Sequence, residues 1–251
     1  VIDALAQRLH DHAIEDAMHD LLEGRTDRSG RKKVVGLMGG HGTPRTDPYY
    51  WKVARMAQQL TRDGYFVATG GGPGIMEAAN LGAYLADVSN KEMESALLIL
   101  GRSEIYTDPG YMEAAQEVLD MYPHGQASLA VPTWFYGHEP GNLFSVHIAK
   151  YFSNSLREDG LLTIAAHGIV FAPGSAGTTQ EVFQDATQNH YQTFGVVSPM
   201  AFLGKEHFGE KTGVFDCLSR QAAGKAYADS LLLTNSGEKE IEFLKAHPPV
   251  G

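Results

Sequence analysis

The chain of 251 residues is predicted to fold as an α/β protein, with a doubly wound, mostly parallel sheet and helices on both faces. Two observations predict this class. Short apolar runs of strand length alternate with longer segments of helical periodicity. Two of those runs end in glycine-dense turns that each open a helix, at residues 70–77 and 173–181. The alternation is typical of a Rossmann-like fold, in which ligands bind beyond the carboxyl ends of the strands.

Composition narrows the class of protein further. Hydrophobic residues make up 43% of the chain, enough for a substantial core, and the length favours one domain. The net charge of −10 argues against a nucleic-acid partner, and no apolar stretch approaches the roughly 18 residues that cross a membrane. The single cysteine, Cys217, excludes an intrachain disulfide and is typical of cytoplasmic proteins. Because the sequence begins with Val1, we expect it to be part of a longer protein.

Five apolar runs, bounded by glycine, proline or polar residues, predict the strands of the sheet. These predicted strands are 34–38, 65–69, 127–131, 167–172 and 196–203. Pro199 interrupts the last run, and this predicts an edge position for that strand because proline cannot donate to a strand ladder.

Segments with apolar residues every three or four positions predict the helices. The predicted helices are 2–22, 48–62, 74–85, 111–121, one ending near Leu156, one ending near Tyr191, 214–223 and 237–246. The first helix and a polar linker form residues 1–30, which precede a single domain over 31–251. Within that domain residues 87–125 are less regular and are interpreted as an insertion, with a strand at 96–100.

The two glycine turns together indicate a binding site for a nucleotide phosphate. Glycine allows positive φ and close approach of the backbone to an anion, and the first amides of the following helix have no partner within that helix. The positive end of the helix dipole adds to the attraction. Because both turns follow strands of one sheet, we expect them at the same edge of that sheet.

With these turns, the sequence resembles the Lonely Guy (LOG) family of phosphoribohydrolases and their bacterial relatives that hydrolyse nucleoside 5′-monophosphates. The family pattern has a glycine-rich turn after the first strand, then GGGxxGxM, then PGGxGTxxE. The matching stretches here are 38–43, 70–76 and 173–181, and Ser175 stands where the family has its second glycine. Such sequences are sometimes labelled lysine decarboxylases, but no lysine here stands in a recognisable pyridoxal phosphate context.

The resemblance implies the residues of the site and the partners of the protein. It implies Glu181 and Arg157 as the catalytic residues, Arg157 lying sixteen residues before Pro173. It also implies a nucleoside monophosphate substrate, no cofactor, and a homodimer or higher homo-oligomer. The residues implied to bind the nucleotide are Gly39, Gly40, Gly70, Gly71, Gly72, Gly74, Met76, Glu77, Pro173, Gly174, Ser175, Gly177, Thr178 and Thr179.

The main candidates also have purely structural interpretations. Residues 178–181 fit a capping box, in which Glu181 would bind an amide at the start of the helix. Glu77 falls in the first turn of a predicted helix, where the dipole alone favours a carboxylate. Arg157 is expected near a helix C-terminus, where arginines pair with the last carbonyls.

Aromatic and histidine residues also allow more than one interpretation. The run 134–136 is interpreted as a stacking wall for a base, as part of the core, or as a dimer contact. His10 and His12 lie two apart on a predicted helix and so do not face one another, and we predict no metal site.

The sequence therefore predicts an enzyme that hydrolyses the N-glycosidic bond of nucleoside 5′-monophosphates. Amides at 174–179 are expected to hold the phosphate, 70–74 to shape the opposite wall, Arg157 to orient the ribose phosphate, and Glu181 to act on the ribose and its attacking water. The alternative is a non-catalytic nucleotide or molybdenum-cofactor carrier on the same fold. A nicotinamide dinucleotide enzyme is disfavoured, because residues 36–42 do not give a clean GxGxxG.

Overall fold

The computed structural model of the protein describes residues 1–23, 32–136 and 141–250. The strands in these ranges are β1 (Lys33–Met38), β2 (Tyr65–Thr69), β3 (Leu129–Ala130), β4 (His147–Ile148), β5 (Ile169–Phe171), β6 (Met200–Leu203) and β7 (Leu231–Thr234). The helices are α1 (Ile2–Glu23), α2 (Pro48–Arg62), α3 (Ile75–Tyr84), α4 (Asn90–Leu100), α5 (Tyr111–Met121), α6 (Asn154–Ile164), α7 (Ala176–Tyr191), α8 (Val214–Ala222) and α9 (Gly237–Ala246). The predicted linker, residues 23–30, lies outside the described residues except for Glu23. No helix among those described combines the length and the apolar character needed to span a bilayer.

The strands form one parallel sheet with the order β4-β3-β2-β1-β5-β6-β7. From β1 the chain builds outward on one side through β2, β3 and β4, and then returns to the other side of β1 with β5. Met38 of β1 pairs with Phe171 of β5, so these two strands end side by side. The reversal between them is a topological switch point, where open parallel sheets leave a crevice for ligands.

Side chains that alternate along the strands fill a core on each face of the sheet. Val35 and Leu37 of β1 pack with α2, α3, α4, α5 and α9. Val34 and Met38 of the same strand pack with α1, α6, α7 and α8. The predicted fold class, a doubly wound parallel sheet covered by helices on both faces, is confirmed.

The strand predicted at 96–100 is wrong, because these residues form the second half of α4. Ser89 and Glu92 make a capping box at the start of this helix, each side chain bonding the other's backbone. Met93, Ala96 and Leu97 are buried at helical spacing. The apolar run therefore faces the core with a period of 3.6 and not of 2.

The helix predicted to end near Leu156 is also misplaced. Residues 147–148 form β4, which pairs with β3 through a bond from the His147 N–H to the Ser128 carbonyl. The helix begins only at Asn154 and runs on to Ile164. Its start is fixed from outside, since the Asp11 carboxylate of α1 accepts the N–H groups of Phe152 and Ser153 at 2.8 Å each.

The last two strands correct the predicted edge of the sheet. β6 pairs with both β5 and β7, so it is an interior strand. Pro199 precedes β6, and its carbonyl accepts the N–H of Ile169, so its missing donor does not interrupt the ladder. β7, the run Leu231–Thr234, was not predicted, and it separates β6 from the edge.

Helix α1 buries only part of its apolar residues. Ile2, Leu5 and Leu9 are exposed, whereas Met18 and Leu22 are buried, as is the polar Asp11. The carboxylate of Asp11 is held at the start of α6. Burial raises the pKa of Asp11, but the two backbone donors and His10 outweigh it and leave that pKa below its usual value.

Candidate functional site

The loop after β1 joins the two glycine turns at the switch point. The N–H of Gly40 donates to the carbonyl of Pro173 at 3.0 Å, and the carbonyl of Gly40 accepts the N–H of Ile75 at 3.1 Å. A side chain at Gly39 would overlap the side chain of Ile75, so this loop lies directly against the start of α3. The structure thus brings the predicted stretches 38–43, 70–76 and 173–181 to one edge of the sheet.

The glycines of the first turn are required by packing and backbone conformation. A Cβ on Gly70 would overlap the guanidinium of Arg157, and one on Gly72 would overlap Met76. Gly71 and Gly74 have φ of 76° and 68°, in the left-handed region that glycine favours. A Cβ on Gly74 would also overlap the carbonyl oxygen of Gly40.

Three amides of this first glycine turn and of the helix start after it are bonded within the protein. The N–H of Gly71 donates to Thr69 Oγ1 at 3.0 Å, and that of Gly72 points to Met76 Sδ at 3.4 Å. The N–H of Ile75, at the start of α3, is bonded to Gly40 as described above. These bonds are compatible with the expectation that residues 70–74 shape a wall of the site and that the amides at 174–179 hold the phosphate.

A polar network that the sequence analysis missed braces the first turn from behind. Asn142 Nδ2 donates to the carbonyl of Gly72 at 3.2 Å and to Asn80 Oδ1 at 2.9 Å. Thr69 Oγ1 donates to the same oxygen of Asn80 at 2.7 Å, and Asn80 Nδ2 donates to Ser128 at 2.9 Å. These side chains lie apart in sequence, so no local motif announces the network.

The second glycine turn, residues 173–181, is exposed at the start of its helix, unlike the first. Helix α7 begins at Ala176, and its N-cap, Ser175, makes no side-chain bond to the first turn of the helix. Ser175, Ala176 and Gly177 are exposed, and a Cβ on Gly177 would meet nothing within 4 Å. The first amides of a helix have no partner inside it, so this N-terminus can receive an anion.

Gly40, Thr178 and Thr179 contact the second glycine turn. The Pro173 carbonyl is occupied by Gly40, and a Cβ on Gly174 would overlap the Thr178 hydroxyl. Thr178 is buried beneath the turn. Thr179 Oγ1 donates to the Ser175 carbonyl at 3.3 Å, so this hydroxyl is turned toward its own helix.

Arg157 lies between the first glycine turn (residues 70–77) and α7. It sits in the first turn of α6 and not near a helix C-terminus as predicted, because α6 starts only at Asn154. Its Nε donates to the carbonyl of Val131 at 2.8 Å, and its Nη2 points to the carbonyl of Gly70 at 3.5 Å. The guanidinium is buried and fixed, and its Nη1 is left to face the acids on its other side.

Glu181 is the acid that Arg157 meets from α7. Arg157 Nη1 lies 3.8 Å from Glu181 Oε1, and the Glu181 side chain is 15% exposed. Burial raises the pKa of Glu181 to about 7, against the lowering effect of Arg157 and with a smaller contribution from Glu158. The capping-box interpretation is wrong, because the helix begins at Ala176 and Glu181 falls beyond its first turn.

Glu158 completes this acidic pair around Arg157, and sequence reasoning did not single it out. Its Oε1 lies 3.9 Å from Arg157 Nη1. Unlike Glu181, it is held by amide donors, Asn154 Nδ2 and Gln180 Nε2, at 2.7 Å each. The only feature of the sequence that could have pointed to Glu158 is its position directly after Arg157.

Glu77 does not face the turns but closes a buried cluster beneath them. Arg45 donates to its two oxygens at 3.0 and 2.6 Å, and the hydroxyls of Tyr50 and Tyr111 donate at 2.8 and 2.7 Å. Both Arg45 and Glu77 are completely buried. Four donors leave no capacity at Glu77 for a ligand, so the structure assigns it to holding α2, α3 and α5 together.

In the aromatic run at 134–136, Trp134 is packed against other side chains and Phe135 is exposed. Trp134 stacks on Phe152 with ring centroids 5.8 Å apart, and Lys150 Nζ lies 3.7 Å from the Trp134 ring centre. Phe135 is strongly exposed. Trp134 thus has contacts of its own, which leaves the interpretation of this run as a base-stacking wall a prediction.

One cavity lies elsewhere in the molecule. It measures about 480 Å³ and is lined by residues of α2, α4 and α9, including Lys52, Arg62 and Ile241. None of the glycine-turn residues lines it. The features of interest at the switch point are instead the open start of α7 and the Arg157–Glu181 pair.

Solved structures share this fold. The molybdenum cofactor binding protein from the phototrophic bacterium Rippkaea orientalis matches with a TM-score of 0.56 at 16% identity, over 86% of this chain and 97% of that one. The Moco carrier protein from Chlamydomonas reinhardtii matches with a TM-score of 0.51 at 16% identity, over 86% and 97%. No protein-family model matches the chain, and no curated protein matches it significantly. The likeness to these carrier proteins is one of fold, and membership of the LOG family stays a prediction.

Proposed function

We propose that this protein binds a nucleoside 5′-monophosphate at the switch point and hydrolyses its N-glycosidic bond, giving the free base and ribose 5-phosphate. The observation that carries the proposal is a nearly buried carboxylate, Glu181, on the same helix whose open N-terminus can receive the phosphate. Four residues separate Gly177 from Glu181, which is about 6 Å along a helix. A ribose 5-phosphate can bridge such a distance.

The chemistry follows from the charge that develops on the sugar. When the bond between C1′ and the base nitrogen breaks, the electron pair leaves with the base and the ribose becomes positively charged. The ionised form of Glu181 stabilises that charge and accepts a proton from the water that adds to C1′. The departing base takes up one proton in turn, so that Glu181 is ionised again at the end of the cycle. Arg157 holds the carboxylate in place and keeps part of it ionised near neutral pH.

A second candidate function is that of a cofactor carrier that binds without turnover. The fold is shared with proteins named for molybdenum cofactor binding and for Moco carriage. A carrier would use the same open start of α7 for a phosphate and would have no need of the acid beside it. The raised pKa of Glu181 therefore favours the hydrolase over the carrier.

The proposal is tested by incubating the protein with AMP, CMP, GMP, UMP and IMP and measuring released base by chromatography. We expect turnover of at least one nucleotide, and a loss of about 100-fold or more in the Glu181→Gln variant, as for removal of a group that stabilises developing charge. Glu240→Gln is the matched control, because Glu240 on α9 is also buried with a raised pKa but lies outside the site. Binding of all five nucleotides without release of base would support the carrier instead.

The pH dependence tests the assigned role of Glu181 directly. If the ionised carboxylate acts, kcat should rise with pH through a midpoint of about 7. Glu158→Gln removes a negative charge that raises the pKa of Glu181, so the midpoint should move to lower pH. Removing the positive charge with Arg157→Met should move it to higher pH. A midpoint that neither substitution shifts would show that another group titrates.

A further inference from the structure

A loop from the predicted insertion reaches the mouth of the candidate site. This loop, residues 104–108 between α4 and α5, places the ring of Tyr106 6.2 Å from the ring of His41. His41 directly follows Gly40, which bonds to both glycine turns. The pair of rings therefore lies at the carboxyl end of β1, beside the switch point.

Hydrogen bonds hold this loop in one conformation against the β1 loop. The N–H of Arg45 donates to the carbonyl of Glu104 at 2.9 Å, and Arg45 Nη1 donates to the carbonyl of Tyr111 at 2.9 Å. Within the loop the Asp108 carboxylate accepts the N–H groups of Glu104 and Ile105 at 3.0 Å each. A ring presented on such a fixed loop loses little conformational freedom when it binds a ligand.

The exposed ring surface at this place has no structural use within the described residues. Tyr106 is 41% exposed and His41 is also exposed, whereas the main-chain atoms of the same loop are tied to buried Arg45. The other aromatic at the rim, Trp134, is already stacked on Phe152 and contacted by Lys150. The Tyr106–His41 pair is thus better placed than Trp134 to stack on the aromatic ring of a ligand.

We infer that Tyr106, with His41, forms the stacking edge that binds the heterocyclic base of the ligand. This inference rests on the proposed function, since it takes a nucleoside monophosphate as the ligand, with its phosphate at the start of α7. Every base has a π face, and stacking on an aromatic side chain recognises the ring without reading its hydrogen-bonding edge. The loop would therefore contribute affinity for the base and prefer the larger purine surface.

The test compares ligands with and without a base. Calorimetric titration of AMP, CMP and ribose 5-phosphate is carried out on the Glu181→Gln protein, in which hydrolysis does not interfere. Adding Tyr106→Ala should raise the Kd for AMP about tenfold, CMP less, and leave the Kd for ribose 5-phosphate unchanged. Tyr106→Phe should retain nucleotide affinity. Tyr191→Ala is the matched control, because Tyr191 is 74% exposed at the far end of α7.

Other outcomes of these titrations would overturn the stacking inference, the proposed function, or both. Nucleotides that bind the Tyr106→Ala protein as well as its parent would overturn the stacking inference and leave the proposed function standing. A base-dependent loss in Trp134→Ala and not in Tyr106→Ala would place the base at the opposite rim. Failure of the parent protein to bind any nucleotide would overturn the proposed function and this inference together. Equal melting temperatures of the variants exclude a folding defect as the cause.

Discussion

Two buried arginine–glutamate pairs in this chain differ in how completely the acid is satisfied. Glu77 accepts two bonds from Arg45 and one from each of two tyrosines. Glu181 faces Arg157 at 3.8 Å, and no hydrogen-bond donor reaches it among the residues that the structure describes. A fully bonded carboxylate stabilises the fold, whereas a poorly bonded one keeps its oxygens available and titrates near neutral pH. The same residue type thus serves structure in one place and, in the proposed function, is available for chemistry in the other.

The raised pKa of Glu181 predicts that the wild-type residue lowers stability at neutral and alkaline pH. The pKa is about 7 in the folded protein and 4.5 in the reference state, so the folded state binds the proton more tightly. The stabilising contribution of the neutral acid is complete below pH 4.5 and is lost as the pH rises through 7. Glu181→Gln should therefore unfold with a free energy roughly 1 to 3 kcal/mol higher than the wild type at pH 8.

Urea unfolding followed by circular dichroism at pH 8 and pH 4 measures this effect. The gain should be largest at pH 8 and should nearly disappear at pH 4, below the pKa of Glu181 in both states. A variant that is less stable than the wild type at pH 8 would show that the Glu181 carboxylate is well stabilised by its surroundings, and the assignment of a poised acid would fail.

At the scale of elements, the two glycine turns look alike in sequence but differ in structure. The first is closed by bonds to Thr69, Met76 and Gly40, whereas the second ends in a helix without a side-chain cap. The sequence predicted both turns at the right edge of the sheet. It could not distinguish them, because the partners of the first turn come from residues whose closeness only the fold establishes.

Two glycines of the second turn give a matched pair of substitutions. Gly174→Ala should lower the unfolding free energy by about 1 to 3 kcal/mol, because its Cβ would overlap Thr178 and approach the amide of Gly40. Gly177→Ala should leave stability unchanged or raise it by up to about 1 kcal/mol, since its Cβ enters open space in a helix. The same change should weaken nucleotide binding, because that open space is where the phosphate would lie.

Thermal unfolding and calorimetric titration of both variants separate the two effects. Equal destabilisation by the two substitutions would mean that the turn is more tightly packed than described. Unchanged nucleotide affinity in the Gly177→Ala protein would remove the start of α7 from the proposed phosphate site.

The errors in the predicted elements have identifiable physical causes. The run ending at Leu100 was predicted as a strand because five apolar residues in a row fit either period, and only the packing of Met93 and Leu97 decides between them. In helix α1 the burial of Asp11 could not be predicted, because its carboxylate bonds to backbone groups distant in sequence and apolar periodicity ignores such a contact. Local pattern could predict the alternation of strand and helix, but not contacts made across the fold.

At the scale of the whole molecule, the cluster around Glu77 joins elements that are distant in sequence. Arg45 comes from the loop after β1, Tyr50 from α2, Glu77 from α3 and Tyr111 from α5. Burial, and then the negative charge of Glu77, raise the pKa of both tyrosines, so their hydroxyls stay protonated and donate. The cluster therefore fixes the predicted insertion to the sheet.

Removing the charge of Glu77 should weaken the entire domain. Glu77→Gln leaves Arg45 buried without its counter-charge, and the unfolding free energy should fall by about 3 to 5 kcal/mol. Glu117→Gln is the control, because Glu117 pairs with Arg102 on the exposed face of α5 and is 46% exposed; its loss should cost less than about 1 kcal/mol. Denaturant titration of both variants at neutral pH measures the difference, and a similar small effect for both would refute the structural role of the cluster.

The order of the strands was the least predictable property of the molecule. Five strands could be recognised from their own residues, but β4 and β7 are only two and four residues long and were missed. The return of the chain to β1 is decided by which faces bury together. The parallel class followed from the alternation of elements. The switch point between β1 and β5, which defines the crevice, needed the structure.

The guanidinium of Arg157 occupies the volume in which any side chain at residue 70 would begin. The two positions are therefore tied together in the history of the sequence, although eighty-seven residues separate them. A descendant that acquires even an alanine at residue 70 must move or lose the arginine, and with it the cation that steadies Glu181. Homologous chains that keep this arginine in place should therefore also keep glycine at residue 70.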